Sequence, residues 1–486
     1  MHPSLGPRRP RGGGLLVDAV AAAVVAAVVW AWFGHAFLNY DTFYALLWGH
    51  DLAHGLKPQY EVPVAPTPHP LAELVGLVLS PLGDGAENAM LGVILFAFGW
   101  LVVGIFRLGE ELFSWPVGLL AALLVATRVP YLNFAIRGYV DFAAMAFIVW
   151  AGVLEARRPR RGWPVLVLLG LAGLLRPEAW LFIAAYWLWM FPARDWAGRI
   201  RLALLAAAAP LIWGFSDLAI TGDFLWSLNG TSDLAQQLGR QTGLRHVPVG
   251  ARRLGEILRL PELIASVIGF VVGWRVFGRR MAVPTSIAVL NGVAWIVFAI
   301  AGLSLLGRYL FLLGTMLALF AAVAALGWTA LEPSHPWRRA WSIGGSAIVA
   351  LVVLFFAVQQ VDRLKSLRTD IGNRDRIQAD LHGLASRAPV KSLVRGCRPT
   401  YVPNHRPVPL IAYWDDIRPA SIVTRQPGAA ASRGTMFFPA SAEVEKLSIL
   451  DPHEPTVIQL RVPPGWREAA RNRSWVLYAG PACQRP

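Results

Sequence analysis

Apolar runs near membrane length recur along the chain from Leu15 to about Phe356. A helix needs about 20 mostly apolar residues to cross the hydrocarbon core of a bilayer, so each run predicts a transmembrane helix. Several of the runs are only marginally long enough. The pattern predicts about eleven spans, near residues 15–34, 87–106, 112–127, 140–156, 163–176, 178–192, 201–219, 262–277, 282–303, 308–328 and 341–360.

A further apolar stretch, over residues 71–82, is too short to cross and is predicted to dip into the membrane or lie flat on it. From about Val361 onward the chain is polar and contains no candidate span. It opens with a predicted helix to about Ala385, and β-branched runs between Pro and Gly turns then predict strands over 408–413, 421–425, 456–462 and 474–478. The predicted fold is an all-α polytopic membrane domain, residues 1–360, followed by a small α/β domain, residues 361–486.

Arginine clusters predict the orientation of these spans. They lie before or between spans, at positions 8–11, 157–161, 194–201, 275–280 and 338–339. Short loops rich in Lys and Arg stay on the cytoplasmic side, so the N-terminus is predicted inside, and outer loop 1 (residues 35–86) and the C-terminal domain outside. The first apolar run is longer than a signal-peptide core and no clear cleavage site follows it, so we expect it to remain as the first helix.

The composition agrees with this membrane topology. With 55% hydrophobic residues, 15% charged residues and a mean hydropathy of +0.48, a soluble globule is excluded. The net charge of +15 does not indicate nucleic-acid binding, because the cytoplasmic clusters account for most of the clustered arginine. Arginine outnumbers lysine roughly ten to one, beside abundant Ala, Gly and Pro, which predicts a bacterial source and hence a multi-pass protein of the cell membrane.

Both cysteines, Cys397 and Cys483, fall in the region predicted to lie outside, where disulfides persist. We therefore predict that they pair. Closing a loop of that length stabilises the fold by roughly 4–5 kcal/mol in the chain-entropy model. Two unrelated buried thiols are the alternative.

Outer loop 1 carries the first candidate for chemistry, Asp41, directly after the first span. The apolar spacing after it predicts a helix over residues 42–54 that lies in the membrane interface, with Asp41 at its N-cap. The alternative for Asp41 is a carboxylate that only caps backbone N–H groups. Five prolines between residues 58 and 70 keep the following strand extended and bring His69 back to the membrane surface.

Three further outer segments hold charged residues at the predicted ends of spans. Asp141 follows Arg137 at the start of the fourth span. It either has a substrate role or serves only as an N-cap or as the salt-bridge partner of Arg137. Ionisable groups at membrane depth are expensive and are usually paired or functional. Arg176 and Glu178 in a tight turn either neutralise each other or bind a substrate, and Arg308-Tyr309 is either an interfacial anchor or a cation for a lipid phosphate.

In these residues the chain resembles the GT-C superfamily of integral membrane glycosyltransferases, which take sugars from polyprenyl-phosphate donors. The resemblance runs from about Leu15 to Trp328 and rests on the order and common side of its motifs. These are Asn39-Tyr40-Asp41 with Tyr44 and Ala45, the turn Gly55-x-x-Pro58, His69-Pro70-Leu71, Asp141, Leu175-Arg176-Pro177-Glu178 and Arg308-Tyr309.

The resemblance implies an inverting hexosyl- or pentosyltransferase in which an acid of the outer loop, matched by Asp41, deprotonates an acceptor hydroxyl, with Asp141 as a second candidate acid. The donor would be a polyprenyl-phosphate sugar, and the acceptor an envelope polysaccharide, lipid or protein. Cations stabilise the charge of a departing phosphate, and Arg308 is the first candidate, followed by Arg137, His69 and Lys57. Membrane lipids are the surrounding partners.

The sequence departs from many relatives at two positions, because Thr42 stands where some carry a second acid and His69 where some carry lysine. A divalent cation therefore stays an open question, since Asp41, Asp51 and Asp141 bind one only if the fold brings them together. A zinc site built on His50, His54 and His69 is the less favoured alternative. A lipid or sugar transporter (a flippase) and a non-catalytic membrane scaffold are the alternative functions.

Overall fold

The computed structural model describes residues 14–424, 427–428, 431–449 and 461–484. Every predicted span falls on a helix. Within the described residues the helices are α1 Leu15–Phe33, α2 Tyr40–Ala53, α3 Pro70–Leu79, α4 Ala86–Leu112, α5 Trp115–Thr127, α6 Val129–Ile136, α7 Asp141–Arg157, α8 Trp163–Gly173, α9 Ala179–Met190, α10 Trp196–Thr221, α11 Trp226–Gln237, α12 Val249–Ile257, α13 Leu260–Phe277, α14 Ala282–Ile300, α15 Phe311–Leu326, α16 Arg338–Ala385, α17 Ala388–Gly396, α18 Pro407–Asp415 and α19 Ala442–Val444. The arginines at positions 8–11 lie outside the described residues.

The chain is a multi-pass membrane protein. Five helical segments of its described part are long and apolar enough to cross a bilayer: 15–33, 70–112, 196–221, 260–300 and 307–330. The pair α5 and α6, bent by 61°, counts as a sixth segment if it forms one broken span. Helices α8 and α9 are apolar but short, so the span count of eleven stays a prediction.

Two helices form the centre of the membrane bundle. Helix α4 packs against α1, α5 and α7, and α15 packs against α5, α13 and α14. Buried charges between α1 and α4 are paired: Asp18 of α1 accepts from Arg107 of α4 at 2.6 Å, and Arg107 also contacts Glu110 at 2.7 Å. Buried charges of this kind are tolerated only because each has a partner.

Helix α3 is the short apolar segment of outer loop 1, and its ten residues are too few to cross a bilayer. It packs against α2 at a close crossing of two glycines, Gly49 and Gly76. A Cβ on Gly76 would lie 2.6 Å from the carbonyl oxygen of Ala45, so only glycine fits there. Residues 42–49 of α2 are buried, and α18 covers the helix from another side. Helix α2 is therefore enclosed by protein, and its place in the membrane interface stays a prediction.

The C-terminal region begins inside a helix, since α16 runs unbroken across the predicted boundary at residues 360 and 361. The described residues that follow form five strands: β1 Thr400–Tyr401, β2 Ile422–Val423, β3 Thr435–Pro439, β4 Arg467–Arg471 and β5 Trp475–Ala479. Their order in the sheet is β2-β1-β3-β5-β4, with β1 parallel to both neighbours and β5 antiparallel to β3 and β4. The predicted small α/β region is thus present, and the two-domain division stays a prediction.

Of the four strands predicted in this region, the structure confirms two and contradicts one. Residues 408–413 form helix α18, because the hydrophobic run buries all around rather than on one face. The strands predicted over 421–425 and 474–478 correspond to β2 and β5, while most of 456–462 lies outside the described residues. Cys397 and Cys483 are joined by a disulfide, with 5.9 Å between their Cα atoms.

The sheet rests on α16 through polar contacts. The indole nitrogen of Trp475 donates to the carbonyl of Ile377 at 2.9 Å, and Asn472 donates to the carbonyl of Asp380 at 2.5 Å. Residues 418–420 reach back to outer loop 1, where Arg418 donates to the carbonyl of Lys57 and the Ala420 amide donates to the Gln59 side chain. The C-terminal region therefore covers outer loop 1 on the side away from the membrane bundle.

Candidate active site

The start of α2 aims the carboxylate of Asp41 away from its own backbone. The N-cap is Asn39, whose side-chain oxygen accepts from the amides of Asp41 at 2.8 Å and Thr42 at 3.3 Å. The amide nitrogen of Asn39 donates to the carbonyl of Gly138 at 2.9 Å and so joins outer loop 1 to the second outer loop. The placement of Asp41 at the N-cap was therefore wrong, because Asn39 already fills that role.

Asp41 instead faces Arg308, which lies just before α15. Both terminal nitrogens of the guanidinium lie 3.1 Å from Asp41 Oδ2. The two side chains are only 16% and 13% exposed, so water screens this pair weakly. The guanidinium carbon of Arg308 sits 5.0 Å from the ring centre of Tyr139, which fixes the plane of the fork.

A second acid–arginine cluster lies beside the first. Arg176 contacts Asp141 at 3.2 Å and Glu178 at 2.8 Å. Its guanidinium lies 4.4 Å from the ring centre of Tyr309, and the same ring is 5.6 Å from the guanidinium of Arg308. Tyr309 therefore stands between the two arginines. The two cations and three carboxylates lie in one small, mostly buried volume.

His69 completes this group as the residue before α3. Its backbone amide donates to Glu73 at 3.2 Å, and the other oxygen of Glu73 accepts from the hydroxyl of Tyr60 at 2.5 Å. Burial, together with the nearby charge of Arg176, lowers the pKa of His69 to about 4, against the opposing effect of Asp41 and Asp141. The ring is neutral at pH 7, and its Nδ1 has no hydrogen-bond partner within the described residues.

A cavity of about 130 Å³ opens beside these side chains. His69, Arg176, Glu178 and Tyr309 line its charged side. Most of the remaining lining is apolar, namely Trp180, Pro210, Trp213, Phe224, Leu225, Leu228, Phe298 and Leu303, and it also includes the polar residues Thr67, Asp217, Ser227 and Thr231. A cavity lined by charged groups and by many apolar side chains suits a ligand that joins an anionic group to a hydrocarbon.

Comparison with solved structures shows the fold to which this site belongs. ArnT from Cupriavidus metallidurans bound to undecaprenyl phosphate is similar with a TM-score of 0.56 and 14% identity, over 97% of this chain and 100% of that chain. The chain has the GT-C fold. The apo state of the same ArnT matches with a TM-score of 0.49 and 14% identity, over 96% of this chain and 98% of that one.

The archaeal oligosaccharyltransferase AglB from Archaeoglobus fulgidus, in complex with an inhibitory peptide and a dolichol-phosphate, matches more weakly. Its TM-score is 0.43 at 13% identity, over 84% of this chain and 64% of that chain. No protein-family model matches the chain, and no curated protein sequence matches it significantly. The resemblance to GT-C proteins drawn from the sequence is thus confirmed at the level of the fold.

Within the GT-C fold most of the predicted site residues come together, namely Asp41, Asp141, His69, Arg176, Glu178, Arg308 and Tyr309. Arg137 lies at the edge, with its guanidinium 5.5 Å from the ring centre of Tyr139. Asp141 pairs with Arg176, which is more distant in sequence, and not with Arg137, the sequence neighbour that was its alternative salt-bridge partner.

Two predicted donor-binding residues lie elsewhere. Tyr44 is 1% exposed and packs its ring between those of Tyr40 and Trp48, so it is part of the core of outer loop 1. Lys57 lines a separate, larger cavity between outer loop 1 and the C-terminal region. The structure therefore places both side chains away from the pair of Asp41 and Arg308, because residues near Asp41 in sequence point to different sides of α2 and the following loop.

The residues present do not fit a metal site. Asp41 and Asp141 are each committed to an arginine, and Asp51 pairs with Arg418 at 3.3 Å. His50 and His54 stack on each other beside Tyr413, whereas His69 lies among the charges of the active site. Over the described part of the chain no three His, Cys, Asp or Glu side chains gather as metal ligands.

Sequence reasoning missed three residues of this site. Asn39 was identifiable, because an Asn directly before an acidic first turn is a common N-cap. The ring of Tyr139 makes a cation–π contact with Arg308, but the sequence indicated nothing about Tyr139 beyond its place in the second outer loop. Trp213 lines the apolar side of the cavity, 2% exposed and with no partner for its indole nitrogen within the described residues; only tertiary structure brings α10 there.

Proposed function

We propose that this chain is a glycosyltransferase that moves one sugar, a hexose or pentose, from a polyprenyl-phosphate donor to a hydroxyl of an acceptor on the outer face of the membrane. The observation that carries the proposal is the carboxylate of Asp41 held by the fork of Arg308, next to a second arginine, Arg176, at a half-apolar cavity. An ArnT of the same fold binds undecaprenyl phosphate, which supports the donor class.

The two arginines and Tyr309 suit the phosphate of the donor. A guanidinium binds a phosphate through two parallel N–H donors, and both terminal nitrogens of Arg308 now donate to a single oxygen of Asp41. When the donor phosphate takes these N–H groups, Asp41 loses its ion-pair partner and becomes available as a base. Arg176 stays fixed by Asp141 and Glu178, so Asp141 acts as a positioning residue for a cation rather than as a second base.

The reaction then needs one proton transfer and one displacement. Asp41 takes the proton of the acceptor hydroxyl while that oxygen attacks the anomeric carbon. The bond from this carbon to the phosphate oxygen breaks, and polyprenyl phosphate leaves with its electron pair, stabilised by Arg308 and Arg176. Attack opposite the leaving group inverts the anomeric centre. Neutral His69 has an unpartnered Nδ1 at the cavity and hydrogen-bonds the donor.

The sidedness of the reaction follows from the proposed orientation. The arginine-rich short loops are placed in the cytoplasm, which puts outer loop 1, the active site and the C-terminal region outside. A donor whose lipid lies in the outer leaflet can then place its phosphate at Arg308 while its prenyl chain stays in the bilayer. The proposed acceptor belongs to the cell envelope.

The test compares purified wild type with Asp41→Asn for release of polyprenyl phosphate from a panel of polyprenyl-phosphate sugars, with bacterial envelope extract as acceptor. We expect turnover to fall about 10²- to 10⁴-fold, because a positioned general base contributes that much. Donor binding should be retained, and unfolding is measured on the same samples because Asp41→Asn leaves Arg308 without its ion-pair partner, so that turnover is compared between folded proteins. Asp84→Asn is the matched control, since Asp84 is an exposed acid of the same loop.

Equal turnover by Asp41→Asn and wild type would remove Asp41 as the base. If wild type binds the donor but shows no turnover with any acceptor, a transporter would be favoured. No donor binding by any of the proteins would favour a scaffold. Each result separates one class of function from the others.

A further inference from the structure

A second and larger cavity lies between outer loop 1 and the C-terminal region. Its volume is about 670 Å³, within the range of roughly 300–1,000 Å³ that small-molecule sites occupy. Residues 57–63 of outer loop 1 form one wall and residues 418–424 form the opposite wall. Ile220 and Thr221, at the C-terminal end of α10, close the remaining side.

The walls of this cavity are held in place by specific contacts. Arg418 donates to the carbonyl of Lys57 at 2.5 Å and pairs with the buried carboxylate of Asp51 at 3.3 Å. The amide of Ala420 donates to the Gln59 side chain at 3.1 Å. The C-terminal region is thus fastened to outer loop 1 at the rim of the cavity, and the cavity exists only because both parts are present.

The lining matches the chemistry of a saccharide. Along residues 57–62 the hydrogen-bonding side chains of Lys57, Gln59 and Glu61 alternate with Pro58, Tyr60 and Val62, and Thr221 and Thr424 add hydroxyl groups on the other sides of the cavity. A sugar ring presents hydroxyl groups around its edge and C–H groups on its faces, so it needs both kinds of contact. A lipid chain would displace water from the exposed charged groups of Lys57 and Glu61 without replacing its hydrogen bonds.

The cavity adjoins the candidate active site. Tyr60 lines it and donates to Glu73, which accepts from the amide of His69, and His69 lines the smaller cavity. Helix α10 contributes Asp217 to the smaller cavity and Thr221 to the larger one, and four helical residues span about 6 Å. The two cavities are therefore neighbours, linked through Tyr60, Glu73 and His69 and through α10.

We propose that this larger cavity binds the saccharide portion of the acceptor, with Lys57 as a contact for its hydroxyl or acidic groups. The proposal rests on the glycosyltransferase function above and names the acceptor class for that reaction. Binding here places the far part of an acceptor glycan under the C-terminal region, while its reacting hydroxyl reaches past Tyr60 towards Asp41. The C-terminal region then contributes to acceptor specificity.

The test uses two variants outside the catalytic machinery, Lys57→Ala, which removes the cation, and Ile220→Trp, which fills the cavity. Lys365→Ala is the matched control, because Lys365 is an exposed lysine of α16 that lines neither cavity. Acceptors are size-fractionated glycan fragments of the envelope extract, with extracted lipids and a decapeptide as competing classes. Two rates are measured: release of polyprenyl phosphate to water without acceptor, and transfer as a function of fragment concentration.

We expect Ile220→Trp to raise the KM for glycan fragments about tenfold or more and Lys57→Ala to raise it several-fold, as the loss of one or two polar contacts predicts. Release to water and thermal stability should stay within about twofold of wild type and of Lys365→Ala. Unchanged KM in both variants would overturn the proposal while leaving the glycosyltransferase function in place. So would an equal loss of release and transfer in Lys57→Ala, or transfer to lipid or peptide alone. Absence of any release by wild type would overturn both.

Discussion

Replacing Arg308 with lysine tests whether the planar fork of this side chain, and not just its charge, operates in the active site. Arg308 places both terminal nitrogens 3.1 Å from one oxygen of Asp41 and lays its plane 5.0 Å from the ring centre of Tyr139. Lysine keeps the charge but presents a single rotating donor group and loses the stacking on the ring. The variant should therefore bind both the resting carboxylate and the donor phosphate less well.

The magnitude follows from the contacts that are lost. One hydrogen bond to a charged partner contributes about 1.5–3 kcal/mol, and a partly buried cation–π contact contributes about 1 kcal/mol, part of which lysine retains. We expect a loss of about 2–3 kcal/mol, or roughly 30- to 150-fold in kcat/KM for the donor. Initial rates of polyprenyl phosphate release against donor concentration, with the protein in nanodiscs, give this ratio directly.

Arg137→Lys is the control for this experiment. Its guanidinium lies 5.5 Å from the centre of the same Tyr139 ring, yet it contacts neither Asp41 nor Asp141 at ion-pair distance. We expect its kcat/KM to stay within about threefold of wild type. If Arg308→Lys keeps kcat/KM within threefold as well, or if Arg137→Lys loses as much as Arg308→Lys, the assignment of Arg308 to the donor phosphate is refuted.

Three further predictions concern the structure around the site. Acidification from pH 7 towards pH 4 should destabilise wild type by up to about 3 kcal/mol more than His69→Gln. The reason is that burial lowers the pKa of His69 to about 4, so that the imidazole takes up a proton in the unfolded chain before it does so in the folded protein. Parallel pH profiles of thermal unfolding for the two proteins would contradict this prediction. Asp18→Asn should cost about 3 kcal/mol, since it breaks the buried pair with Arg107, while kcat of the folded protein stays unchanged; a lower kcat at full stability would argue against it. Replacing Cys397 and Cys483 by serine should lower the unfolding free energy by roughly 4 kcal/mol, and equal midpoints of denaturant unfolding would disprove that contribution.

The membrane architecture was largely readable from the sequence. The length of the apolar runs alone was enough to predict these spans, and each of them falls on a helix. An apolar run is stable in a bilayer when it forms a helix, because a helix satisfies its own backbone hydrogen bonds. The same reasoning predicted that residues 71–82 are too short to cross; most of them form α3, Pro70–Leu79, and that they do not cross stays a prediction. It failed at residues 408–413, where helix and strand both explain a short apolar run and the surrounding protein decides between them.

The candidate site was identified from the sequence one residue at a time and assembled only by the fold. The motifs showed that Asp41, Asp141, Arg176 and Arg308 are ionisable groups near the ends of spans, where a charge is costly unless it has a partner or a function. They did not show which groups pair. Proximity in sequence suggested Arg137 for Asp141, whereas the structure gives Arg176 to Asp141 and Arg308 to Asp41.

The sequence by itself thus determined that this chain spans a membrane, that each predicted span forms a helix, and which charged residues stand near the ends of those spans. Local properties decide these features, namely the free energy of placing apolar or charged side chains in a bilayer and the hydrogen bonds of single helices. Only the tertiary structure decided that Lys57 leaves the donor site for a second cavity, and that Tyr139 and Trp213 enter the active site. Those outcomes depend on packing between segments distant in the chain, for which no local pattern carries a signal.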